Sequence, residues 1–150
     1  MELSKQQSDA VRFLGNRSNW RGRTAWLAGF AGSGKTTIAR HVVEALGARR
    51  PLYVAPTNKA ARVLSSKLGD ARVMSIHKAI YYPPGEDPHG SLSWSINPDG
   101  DAASCDLIVC DEASMVGRRL GNDMMYFNKP ILAIGDPGQL PPIGDEWAFC

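Results

Sequence analysis

Apolar residues recur along this chain in two rhythms, and the switches between them mark out its elements. From Leu3 to Leu14, the apolar positions Ala10, Val11 and Leu14 suit a short helix. Thr24 to Ala28 reads instead as a buried strand. Lys35 to Leu46 returns to helical spacing, with Ile38, Val42, Val43 and Leu46 on one face and Gly47 as the stop. Leu52 to Ala55 is a second apolar strand. Thr57 to Leu68 is a helix whose apolar face is Ala60, Ala61, Leu64 and Leu68, closed by Gly69. Ala71 to Met74 predicts a short strand, and Ser75 a cap for the helical turn after it. Leu107 to Cys110 and Ile131 to Ile134 are wholly apolar, as strands covered on both faces are. Arg118 to Phe127 between them is a helix. The alternation of strands and helices predicts an α/β fold, a mostly parallel sheet flanked by helices.

One stretch breaks the rhythm. Tyr81 to Ala103 is rich in Pro, Gly, Ser and Asp, and its single ordered signal is the alternation Leu92, Trp94, Ile96. It predicts a small insertion in the form of a β-hairpin. No internal repeat is present. The 150 residues suit one domain, 1–150, with one sizeable core. The net charge of +2 gives no strong global pull toward nucleic acid, so any such contact must be local. No apolar run is long enough for a membrane span, and no signal peptide opens the chain. Cys105, Cys110 and Cys150 have no zinc-ligand spacing, and Cys110 sits in an apolar run where it packs as a small hydrophobe. An odd cysteine count without a secretion signal predicts a cytoplasmic protein with no membrane partner.

Three motifs carry chemistry. Gly29-Phe30-Ala31-Gly32-Ser33-Gly34-Lys35-Thr36 matches the P-loop pattern in full. Its glycines let the backbone curl so that N–H groups point at phosphate oxygens, and the helix starting at Lys35 adds its positive end. Lys35 would reach the β- and γ-phosphates of ATP, and the Thr36 hydroxyl would bind Mg²⁺. Asp111-Glu112 ends the strand Leu107 to Cys110, at the sheet edge where α/β folds bind ligands. Asp111 would hold the Mg²⁺ mainly through water, and Glu112 would activate the attacking water. Gly135-Asp136-Pro137-Gly138-Gln139-Leu140-Pro141-Pro142 reads as a turn. Gln139 within it can touch both the γ-phosphate and the attacking water.

Five segments occur in a specific order: Gly29 to Thr37; Ala55-Pro56-Thr57-Asn58-Lys59-Ala60-Ala61; Ser75-Ile76-His77; Asp111-Glu112-Ala113-Ser114-Met115-Val116; and Gly135 to Pro142. In this order the chain resembles RecD-like helicases of superfamily one, the 5′-to-3′ branch, over nearly its whole length. The resemblance implies a P-loop NTPase domain of RecA-like fold that hydrolyses ATP with Mg²⁺ and moves on single-stranded DNA. It also implies that Ile131 to Ile134, the strand before the Gly135 to Pro142 sensor motif, lies between the P-loop strand Thr24 to Ala28 and the acidic-pair strand Leu107 to Cys110. By resemblance, Gly29, Ala31, Gly32, Ser33, Gly34, Thr36 and Thr37 join Lys35, Asp111 and Gln139 in holding the nucleotide. Gln7 corresponds to the family's adenine-reading glutamine; on its own it reads as an exposed helix residue. Pro56, Thr57, Asn58 and Lys59 correspond to a segment gripping single-stranded DNA, and His77 to a second contact. The insertion sits where the family carries a duplex-splitting hairpin, and Trp94 either stacks on a base or packs the hairpin.

The resemblance also implies a second RecA-like domain, in cis or from another copy in trans. It would supply an arginine finger and the other half of the cleft. Arg118 and Arg119 occupy no finger position, so the chain alone is expected to turn over ATP weakly. Two rivals stand beside this reading. A small nucleotide or metabolite kinase would need an arginine-rich lid. A truncated, non-catalytic module would bind ATP or a partner without turnover.

Overall fold

In the computed structural model, which describes residues 2–69 and 71–138, the rhythms become ten principal elements. These are α1 (Lys5–Leu14), β1 (Thr24–Ala28), α2 (Lys35–Ala45), β2 (Pro51–Ala55), α3 (Asn58–Leu68), β3 (Val73–Ser75), α4 (Ile76–Ile80), β4 (Leu107–Cys110), α5 (Arg118–Met125) and β5 (Ile131–Gly135). Local chemistry sets the helix starts. Ser4 caps α1 through a reciprocal capping box with Gln7, Thr57 caps α3 by accepting from the Ala60 N–H, and Ser75 caps α4 by accepting from the Lys78 N–H.

The strands form one five-stranded sheet in the order β1-β5-β4-β2-β3, with every pairing parallel. The strand before the sensor motif therefore lies between the P-loop strand and the acidic-pair strand, as a RecA-like sheet requires. Successive strand residues point to opposite faces, and each face finds its own cover. Ile108, Cys110, Ile131 and Ala133 pack with Ile76, Ile80 and Met124 from α4 and α5. Leu107, Val109, Leu132 and Ile134 pack with Leu14, Ile38, Val42 and Leu64 from α1, α2 and α3. This double cover explains why β4 and β5 read as unbroken apolar runs. Truncating Ile131, which is fully buried, to Ala would cost about 2–5 kcal/mol.

The insertion departs from its predicted form. Its arms approach as a hairpin's would, with an antiparallel bridge between Tyr81 and Ile96. The Tyr82 N–H donates to the Ser95 carbonyl at 3.0 Å and the Asn97 N–H to the Ile80 carbonyl at 2.8 Å. No strand ladder follows, and residues 82–95 form neither helix nor strand. Tyr82 donates across, so the next ladder donor on that arm would be residue 84, and Pro84 has no N–H to give. Two side-chain ties hold the surroundings: Arg72 pairs with Asp101, and the Tyr81 hydroxyl donates to Asp123 on α5.

Candidate functional site

Parallel strands bring all their C-terminal ends to one edge, and the predicted site residues gather there. The P-loop leaves β1. Gly32 and Gly34 both adopt φ of +77°, where an L side chain is strained. Gly34 is also the N-cap of α2, and no side chain caps that helix. Its first N–H groups are thus left for a ligand, and no acid lies in the first turn to oppose an anion. The Lys35 ammonium folds back and donates to the Gly29 carbonyl at 2.5 Å and the Phe30 carbonyl at 2.8 Å. Carbonyls are neutral acceptors, so a phosphate would outcompete them for this charge.

Ala31, Gly32, Gly34, Lys35, Thr36, Asp111 and Glu112 line one cleft of about 410 Å³, together with Gly135, Asp136 and Lys67. Asp111 and Glu112 follow β4. Asp111 Oδ1 accepts from the Glu112 N–H at 2.9 Å. Glu112 itself sits at φ 50°, ψ 38°, the left-handed region. A non-glycine residue held there costs about 1–2 kcal/mol, a strain that proteins keep at functional positions. Thr36 and Asp111 offer a hydroxyl and a carboxylate. Among the described residues, no cluster of three or more His, Cys, Asp or Glu could hold a metal unaided. That donor set fits Mg²⁺, which takes one or two protein oxygens and completes its shell with phosphate and water.

Gln7 stands at the flank of the loop. Its Oε1 accepts from the Ser4 N–H at 2.9 Å, and its Nε2 donates to the Ser33 carbonyl at 3.2 Å. A Cβ on Gly34 would come within 2.9 Å of that Nε2, the end of a flexible side chain that can shift, so it is the φ of +77° that calls for glycine there. Gly29, Ser33 and Thr37 belong to the loop and helix without lining the cleft. Gly135 is more than the turn residue its sequence suggests. It ends β5, and a Cβ there would meet the Trp26 ring at 2.9 Å. Gln139 lies outside the described residues.

The predicted DNA contacts gather at the same sheet edge, past β2 and β3. Pro56, Thr57, Asn58 and His77 line a second cleft of about 770 Å³, with Tyr81, Trp94 and Pro83 from α4 and the insertion. Lys59 does not line it. The Thr57 hydroxyl is already used as the α3 cap, accepting from the Ala60 N–H at 3.1 Å. His77 meets Trp94 edge-on at 4.8 Å between ring centroids and Tyr81 at 5.3 Å. Burial holds the His77 pKa below its ordinary value, so the ring is neutral at pH 7. Burial and the Asp123 hydrogen bond push the Tyr81 hydroxyl's pKa up. Trp94 is 48% exposed while touching both rings, so it packs the insertion and still presents a face to solvent. Sequence reasoning gave no role to Tyr81, Lys67 or Asp136. No periodic or motif signal marks the first two.

Cys105 and Cys110 are buried free thiols whose pKa values burial raises, which suits packing rather than reactivity. No helix among the described residues is long and apolar enough to cross a membrane.

Known proteins are similar to this chain over nearly its whole length. The chain is 29% identical over 156 residues to the ATP-dependent DNA helicase dda of Enterobacteria phage T4, covering 99% of this chain and 35% of that protein. Among solved structures, the Pif1 helicase from Bacteroides in complex with ADP-AlF3 and ssDNA superposes with a TM-score of 0.66 at 22% identity, over 97% of this chain and 34% of that one. The Pif1 helicase from Candida albicans gives 0.66 at 20% identity, over 99% and 36%. The chain thus spans about a third of the length of these relatives. The two structural likenesses establish the fold, a P-loop domain of RecA-like architecture. A family model described as an AAA domain matches residues 2–149, nearly every position that builds the sheet and its loops, and the chain belongs to that family.

Proposed function

We propose that this chain is the ATP-binding and ATP-hydrolysing domain of a DNA helicase that moves 5′-to-3′ on single-stranded DNA, of the RecD-like kind. The observation that carries the reading is the meeting of Lys35, Thr36, Asp111 and Glu112 in one cleft at the C-terminal edge of a parallel sheet. The similarity to the helicase dda supports the helicase assignment. On this reading Lys35 leaves the loop carbonyls for the β- and γ-phosphates. The α2 N-terminus and the P-loop N–H groups hold the remaining phosphate oxygens. Thr36 and Asp111 hold Mg²⁺, which neutralises phosphate charge when bound. Glu112 accepts a proton from the attacking water. Gln139 senses the γ-phosphate, and Gln7 reads the adenine.

Single-stranded DNA runs along the second cleft against Pro56, Thr57, Asn58 and His77, and Lys59, outside that lining in the first turn of α3, adds charge for its phosphates. A second RecA-like domain, in cis or from another copy in trans, closes both clefts. It supplies the cation that stabilises the transferring phosphoryl group, worth roughly 10³–10⁵ in rate. The 150-residue chain by itself should therefore bind Mg-ATP weakly and hydrolyse it slowly, with little stimulation by single-stranded DNA. The test is steady-state ATP turnover by this chain with and without single-stranded DNA, with its oligomeric state measured in parallel. Robust DNA-stimulated turnover by a monomer would overturn the two-domain mechanism. Failure to bind any nucleotide would overturn the ATPase reading.

A further inference from the structure

The nucleotide cleft holds a second lysine that no motif announces. Lys67 lies in the last turn of α3, 32 residues beyond Lys35, yet it lines the same cleft as Lys35, Thr36, Asp111, Glu112 and Asp136. Among the described residues it forms no hydrogen bond and no ion pair, although three carboxylates share its cleft. Two of those carboxylates accept from backbone: Asp111 from the Glu112 N–H and Asp136 from the Gly138 N–H, at 2.9 and 2.8 Å. Lys35, the other cleft-lining cation, is tied to carbonyls of its own loop.

The charges make this arrangement consequential. The described cleft lining carries three carboxylates against two ammonium groups. A triphosphate entering such a cleft meets net repulsion from the side chains, offset by the α2 N-terminus and any bound Mg²⁺. Each cation therefore matters more than it would on an open surface. Lys35 reaches the cleft from the P-loop side and Lys67 from α3, so the two cannot serve one phosphate oxygen by the same path.

From this we propose that Lys67 is a second phosphate ligand, contacting the terminal phosphate of a bound nucleoside triphosphate. The proposal rests on the nucleotide reading of the cleft and adds a residue and a preference to it. Lys67 swings from solvent to the phosphate once the triphosphate is seated. A diphosphate lacks the group it reaches. The bland alternative is a solvated lysine that complements the negative C-terminal end of α3. That role acts on stability and has no reason to distinguish a triphosphate from a diphosphate.

The test is binding of mant-labelled Mg·AMP-PNP and Mg·ADP to the chain and to its Lys67→Ala and Lys67→Arg variants, with thermal melts of each. Lys67→Ala should weaken AMP-PNP about fivefold or more and ADP by less than about twofold, the lower range for a charge-assisted contact open to solvent. Lys67→Arg should keep the wild-type preference. The AMP-PNP loss should shrink as salt is raised. Equal affinities of wild type and Lys67→Ala for both nucleotides would overturn the proposal. So would an equal loss for both nucleotides, or a melting shift with no change in their ratio. Absence of any nucleotide binding by the wild-type chain would instead overturn the nucleotide reading itself, and this proposal with it.

Discussion

The two clefts share one sheet edge and are built in opposite ways. The nucleotide cleft follows β1, β4 and β5, and backbone shapes it: two left-handed glycines, an uncapped helix start and a strained Glu112. The larger cleft follows β2 and β3, and side chains shape it: His77, Tyr81 and Trp94 in mutual contact, with prolines from the insertion. A backbone cradle suits phosphate, which every nucleotide carries in the same form. An aromatic wall suits flat unpaired bases, which stack without regard to sequence. The difference assigns distinct vulnerabilities to the two halves of the edge. Charge changes should disable the first, and loss of ring area the second.

The largest effect should come from Lys35→Ala. We predict a fall in ATP turnover of roughly 10³–10⁵, the scale of losing a cation that stabilises the transferring phosphoryl group. Binding of single-stranded DNA to the larger cleft should be unchanged without nucleotide. Retained turnover in the complete protein would break the comparison at its first term. Glu112→Gln comes next. It removes the proton acceptor and keeps the shape, so turnover should fall by about 10²–10⁴ while nucleotide affinity holds. If affinity falls in parallel with turnover, Glu112 is a binding group and not the base.

How these two clefts could be read from sequence differs for the same physical reason. The P-loop announces itself because backbone curvature demands glycines at fixed spacing, and the Asp111-Glu112 pair because it ends an apolar run. Strand order was legible through the resemblance, and the parallel sheet through strands with no polar face. The insertion was only half legible. The alternation Leu92, Trp94, Ile96 looked like a strand, yet Pro84 on the opposing arm withholds the next donor and no ladder forms. Lys67 could not be found at all, because a lysine in a last helical turn is the commonest of surface residues. Gly135 was read as a turn residue because nothing in sequence records that the Trp26 ring occupies the space of its Cβ.

On the aromatic side, Trp94→Ala should weaken single-stranded DNA binding by about 1–3 kcal/mol, the worth of one stacked base. Nucleotide affinity should not move. Fluorescence anisotropy with a labelled oligonucleotide measures the first quantity and mant-nucleotide titration the second. A loss in nucleotide affinity of the same size would show that the insertion supports both clefts.

His77 gives a smaller, pH-dependent effect. Its folded pKa lies below the ordinary value of 6.5 because burial disfavours the charged ring. The unfolded chain therefore takes up the proton first. Stability linked to this group is full above about pH 6.5 and is lost as pH falls below it. We predict that wild type loses more melting temperature between pH 7.5 and 5.5 than His77→Phe does. An equal or larger loss in the variant would mean that the ring is solvated enough to protonate freely.

The smallest effect should come from Ser4→Ala, which probes how far the nucleotide cleft depends on side chains at all. The Ser4 hydroxyl accepts from the Gln7 N–H at 3.2 Å, while the Ser4 N–H holds the Gln7 amide whose other end reaches the P-loop at Ser33. Removing the hydroxyl deletes an N-cap, a change of about 0.5–2 kcal/mol. For a chain of this size that is a melting shift of a few degrees, about 2–4 °C per kcal/mol. The backbone N–H of residue 4 survives the substitution, so Gln7 keeps its tether. Gly32 and Gly34 hold the loop curved whether or not α1 is firmly capped. Affinity for Mg·ADP should therefore stay within about twofold of wild type while the melting temperature drops, since the cradle is backbone. Ser4→Pro separates the two contributions. Ser4 has a φ of −62°, which proline adopts without strain, and proline removes both the hydroxyl and the N–H that holds the amide. If Ser4→Pro weakens nucleotide binding and Ser4→Ala does not, the tether through Gln7 matters to the site. If Ser4→Ala alone weakens it tenfold, the phosphate loop is held by α1 and not by its own glycines, and the contrast between the two clefts fails at its root.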